Sequence, residues 1–130
     1  MNPWFWDFMR GAKLENMPQL LKDAYLEITH NPAGLQAMHE KDVERMVRFK
    51  DWKEDDIRSI QAPSLVLAAE SDVMLPEHTV ALYRLLPKGK LIILPGVHGE
   101  CIGEVISVRP GSKLPELTAA MIDEFLQEDK

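Results

Sequence analysis

The apolar positions of this chain change their period near Pro63. Upstream they recur at helical spacing. Leu20, Leu21, Ala24, Tyr25 and Ile28 form one stripe, and Asn31-Pro32 interrupts it, which predicts a helix ending before the proline. Leu35, Met38, Met46 and Phe49, with Val43 and Val47 beside them, predict a second helix. An acidic piece from Glu54 to Ile60 predicts a short third. Gln61-Ala62-Pro63 stops it, because a residue ahead of proline disfavours the helical region.

Downstream of Pro63 the apolar runs become short and continuous. Leu65 to Ala69 is one such run, and Leu91 to Leu94, rich in branched residues, is another. Runs of this length are expected of parallel strands covered on both faces. Between them, Pro76 suits the first turn of a helix that reaches Leu86 and stops at Pro87. A strand, a helix and a strand in that order make a parallel pair joined by a crossover. Leu117, Met121 and Phe125, with Ala120 alongside, predict a closing amphipathic helix. The stretch from Gly103 to Gly111 carries Val105, Ile106 and Val108 in near alternation, so it reads as an edge strand or an extended arm.

The expected fold class is therefore α/β. Residues 1–60 form a helical segment, and residues 61–130 form a β-α-β unit with a C-terminal helix. Two parallel strands leave both sheet edges open and their apolar faces without partners. The reading thus expects completion by self-association, as a dimer paired through sheet edges or helices. Its alternative is a missing N-terminal half that supplies the rest of the sheet.

Composition narrows the partners more than the fold. The 130 residues are 45% apolar and 28% charged, as in ordinary globular domains. Net charge is −6 with no basic cluster, which argues against nucleic acid as a partner. The longest wholly apolar stretches, about five residues, fall far short of a membrane span. No charged-then-apolar leader follows Met1, and the single cysteine, Cys101, excludes an internal disulfide. The expected compartment is the cytoplasm.

Chemistry concentrates in two positions. Asp72 follows the first apolar run of the β-α-β unit, and His98 follows the second. An α/β sheet presents its reactive groups on loops beyond the carboxyl ends of its strands. Both residues would therefore emerge on one side, within reach of a hydrogen bond. An acid followed by a histidine is the tail of a Ser…Asp…His order. The five serines are Ser59, Ser64, Ser71, Ser107 and Ser112, and none lies in a G-x-S-x-G. Taken singly, Asp72 could be a loop aspartate ahead of a helix and His98 a turn residue between glycines. Their joint placement after successive strands favours a catalytic ancestry, which is separate from activity.

Other groups bear on the site less directly. Cys101 lies three residues past His98, where a thiol could become a nucleophile, although a small apolar residue packed in the loop is the preferred reading. His78 reads as solvated in a first helical turn, and no carboxylate or cysteine stands at metal spacing around His30 or His39. Neither a metal site nor a cofactor is expected. Trp4, Phe5, Trp6 and Phe8 crowd the N-terminus, and Trp4, Trp6 and Phe8 are candidate substrate contacts, although packing against a partner or the core is the preferred reading.

One family carries these features together. The run Ile60-Gln61-Ala62-Pro63-Ser64-Leu65-Val66-Leu67, then Glu70-Ser71-Asp72-Val73, Pro76-Glu77-His78 and Leu86-Pro87, leads to Leu91-Ile92-Ile93-Leu94-Pro95-Gly96-Val97-His98-Gly99. It resembles the C-terminal segment of the α/β-hydrolase superfamily. The stretch before it, with Met17-Pro18, Leu21-Lys22, Tyr25, Arg45-Met46 and Phe49-Lys50-Asp51-Trp52, resembles the cap helices of those enzymes. The resemblance implies Asp72 as the acid and His98 as the base. In a complete form it implies hydrolysis of a small ester, amide or related substrate through serine acylation. Epoxide hydrolases and dehalogenases share the scaffold with an aspartate nucleophile. In that family the nucleophile and the oxyanion-hole amides come from the N-terminal half, ahead of the cap. This chain is expected to resemble a truncated hydrolase, nearly inert alone. The rival expectation is a non-catalytic binding or oligomerisation module derived from a hydrolase.

Overall fold

The computed structural model describes residues 3–128. It resolves into two units, one ending at Asp51 and the other beginning at Trp52. Helices combine with a two-stranded parallel sheet, which places the chain in the α/β class.

The first unit is helical. It contains α1 (Pro3–Arg10), α2 (Gln19–Thr29) and α3 (Pro32–Val47), with a 3₁₀ turn at Leu14–Asn16 between the first two. The connection from α2 to α3 uses only two residues. His30 takes left-handed backbone, φ 50°, and its N–H donates to the Leu26 carbonyl at 2.9 Å, closing α2. Asn31 then opens α3, its side-chain oxygen accepting from the Gly34 N–H at 2.9 Å while Pro32 occupies the first turn. This is the arrangement that satisfies otherwise unpaired donors at a helix start. Gly34 leaves room there, since a Cβ would stand 2.8 Å from the Tyr25 hydroxyl and 2.7 Å from the Asn31 amide nitrogen and those side chains would have to shift. Leu35, 5% exposed, is the buried apolar residue of the unit. The stripe on α2 is covered only in part: Leu21 and Tyr25 are half-buried, whereas Ile28 is 83% exposed. By helical angle Ile28 belongs to that stripe, but it lies in the last turn, beyond the stretch that packing covers.

The second unit carries the sheet. β1 (Ser64–Ser71) and β2 (Gly89–Val97) pair in parallel, and α5 (Pro76–Leu85) crosses between them and packs on both. The short α4 (Glu54–Arg58) packs on α5. The closing α6 (Leu114–Gln127) packs on a 3₁₀ turn at Glu100–Ile102, which also touches β2. Ala68 and Ala69 are the buried core of β1; their small side chains allow close packing there. Register runs evenly from Ser64 opposite Gly89 to Ala69 opposite Leu94, and then shifts, so that Ser71 faces Val97. Two steps along β1 thus match three along β2, a bulge of one residue. Gly96 sits inside it with φ +111°.

The stretch from Gly103 to Gly111 differs from its expectation as a strand or extended arm. It winds into turns in which the Ser107 and Val108 N–H groups donate back to the Glu104 carbonyl, at 3.0 and 2.9 Å. Gly103 and Gly111 both adopt left-handed backbone, φ +78° and +75°, at its two ends. Alternating apolar residues also occur in turns, and here glycine backbone and local hydrogen bonding prevailed over the period-two pattern.

Candidate functional site

Asp72 and His98 are the residues immediately after the last paired positions of the two strands. Because Ser71 faces Val97 across the bulge, the next residue on each strand faces the other. His98 Nδ1 lies 2.8 Å from Asp72 Oδ1. The same oxygen accepts the Met74 N–H at 3.3 Å, a turn closed by the aspartate on its own following backbone. The Asp72 side chain is 12% exposed and that of His98 is 64% exposed. A carboxylate only accepts hydrogen bonds, so the hydrogen between the two residues belongs on Nδ1. The neutral ring then carries its lone pair on Nε2, on the far side from the acid. That is the form an imidazole needs in order to take a proton.

A second carboxylate underlies the same loop. Glu100 is 3% exposed; its Oε1 accepts from Arg109 Nε at 2.6 Å and its Oε2 accepts from the Val97 N–H at 3.2 Å. The Arg109 guanidinium, followed by the Val97 N–H, holds the Glu100 carboxyl below the usual glutamate range. Burial acts in the opposite sense and is outweighed. Sequence reading passed over both residues. The only available signal was a run of special backbone, Gly96, Gly99 and Gly103, around a carboxylate that had no assigned role.

Cys101 is buried, and among the described residues no side chain hydrogen-bonds to His98 Nε2, the thiol included. His78 lies exposed in the first turn of α5. Trp4, Trp6 and Phe8 belong to the helical unit. Trp4 meets Phe5 and Phe8 edge to face, and Trp6 stacks on Phe49 with ring centroids 6.4 Å apart. Phe8 also borders a small depression beside Met38 and Val43. An open groove of about 770 Å³ is in the helical unit too, lined by Leu14, Val43 and Val47 with Lys13, His39 and Glu44. Its Glu44 carboxylate pairs with Arg48 at 2.7 Å, one helical turn on. Among the described residues no trio of His, Cys, Asp or Glu is placed to hold a metal ion. No helix of the described residues is long and apolar enough to cross a membrane.

Comparison with protein-family models, with curated proteins and with solved structures finds no match.

Proposed function

We propose that the unit beginning at Trp52 is the acid–base part of an α/β-hydrolase-type catalytic site, a partial hydrolase fold with Asp72 as acid and His98 as base. The observation that carries this reading is the 2.8 Å contact between His98 Nδ1 and a largely buried Asp72, beyond the ends of adjacent parallel strands. In the reaction, Nε2 of His98 takes the proton of a serine hydroxyl as its oxygen attacks the carbonyl carbon of an ester or amide. The imidazolium then gives that proton to the departing alkoxide or amine. Water repeats the cycle on the acyl-enzyme, returning acid product and free serine. Asp72 keeps its charge throughout, orienting the ring and stabilising the imidazolium. No serine among the described residues hydrogen-bonds to Nε2, so the nucleophile and oxyanion donors come from chain outside this sequence or from a partner.

A fluorophosphonate, which labels activated serines, tests this on the protein purified from its natural source with whatever is joined or bound to it. A labelled serine peptide is expected, with labelling slowed about 10⁴-fold by Asp72→Asn. Absence of labelling in the parent protein, or labelling as fast in Asp72→Asn and His98→Ala as in the parent, sinks the proposal.

A second reading rests on a different observation. Both outer edges of the two-stranded sheet are unpaired among the described residues, and Ile93 and Val97 of β2 are exposed. Such a sheet seeks a further strand, which makes the unit an association module paired with a second copy or a missing half. Light scattering on a sizing column decides it: a folded monomer near 15 kDa excludes self-pairing.

A further inference from the structure

We propose that Glu100 is a positioning residue for His98, an inference that rests on the acid–base reading of Asp72 and His98. The ring of His98 is mostly in solvent, so packing does little to aim it. Its direction follows from its backbone, which runs over an arch from Gly96 to Gly99. Both glycines adopt positive φ, +111° and +74°. Pairing to β1 ends at Val97, one residue before the histidine.

What supports the arch from inside is the Glu100 carboxylate. It accepts the Val97 N–H, the last amide before His98, and so ties the arch to the turn that follows it. It also occupies the space beneath Gly96, where a Cβ would come within 2.5 Å of Oε2. Arg109 holds the other oxygen from the solvent side, its own side chain 74% exposed, so the buried charge is paired and fixed in direction. The 3₁₀ turn bearing Glu100 is packed in turn on α6. Asp72 thus supplies the partner for the ring, and Glu100 supplies the backbone geometry that lets the ring reach it.

The test is the tautomer of His98, read from long-range proton–nitrogen spectra of the ¹⁵N-labelled 130-residue chain with the ring neutral. In the parent protein the proton resides on Nδ1. Glu100→Gln is expected to move the tautomer ratio toward Nε2–H by about fivefold, the weight of one ordinary hydrogen bond. Arg109→Gln, at an exposed side chain, should move it in the same direction with the strand amides of Leu65 to Ala69 unchanged; it decides the matter if Glu100→Gln does not fold. Asp72→Asn distinguishes failure of the positioning role from failure of the pair. If Asp72→Asn loses the Nδ1 proton while both other variants keep it, Glu100 has no positioning role and the acid–base pair stands. If Asp72→Asn leaves the ratio unchanged, the pair itself fails and the role of Glu100 with it.

Discussion

Among residues 3–51 the charged side chains pair within one helical turn: Asp7 with Arg10, Asp42 with Arg45 and Glu44 with Arg48. From Trp52 onward, comparable local pairs are joined by contacts of long reach. Asp72 meets His98 across 26 residues, and Lys90 meets Glu128 across 38. The local pairs are exposed, and each contributes only about 0.2–0.5 kcal/mol to its helix. They support secondary structure without bringing distant groups together. The parallel strands do the reverse: they leave edges and apolar faces open, yet they deliver two titratable groups from distant sequence to one place. Chemistry that needs two residues in register therefore belongs with the strands.

Leu35→Ala probes the weaker side of this contrast. As the buried apolar residue of the helical unit, its truncation should remove about 2–5 kcal/mol from the protection of α2 and α3 amides in hydrogen exchange. A loss under about 1 kcal/mol would mean that those helices stand on local interactions alone. Gly96→Ala probes the other side. Positive φ and the close Glu100 carboxylate should cost about 1–3 kcal/mol. In urea melts followed by the β2 amides, an unchanged midpoint would show that the arch is free to reshape. The smallest effect is expected for Asn31→Ala, which deletes the side-chain acceptor for Gly34 N–H at the start of α3. It should lower the thermal stability of the helical unit by about 1 kcal/mol, whereas Asn31→Asp, which keeps the acceptor, should not.

How much of this was legible in the sequence depended on the reach of each signal. Pro32 marked the end of the first helix and Pro76 the start of another, because a proline ring enforces local backbone. Leu65–Ala69 and Leu91–Leu94 marked strands because they are short, continuous apolar runs, and the second is rich in branched residues. The approach of Asp72 to His98 followed from parallel strands ending on one side. The left-handed His30 left no comparable mark, since nothing in its side chain demands that backbone. Val105, Ile106 and Val108 misled, because alternation says nothing about where the backbone hydrogen bonds go. Arg109 and Glu100 stayed hidden, because a separation of nine residues through turns has no periodicity to read.

The single extra residue in β2 couples chain length to residue choice. Were the even register continued past Leu94, Asp72 would stand level with Val97, and the imidazole would fall one place further along, on the other side of the alternation. The bulge absorbs that surplus place, and Gly96 supplies the backbone that lets it do so. A chain one residue shorter between Leu94 and His98 would bring acid and base level in a regular ladder, with no demand for glycine. Natural variants of this chain should therefore fall into two sets: those of full length, which retain glycine here, and those one residue shorter, in which that position accepts any side chain. A longer segment has neither remedy, so insertions should be the rarest change of all.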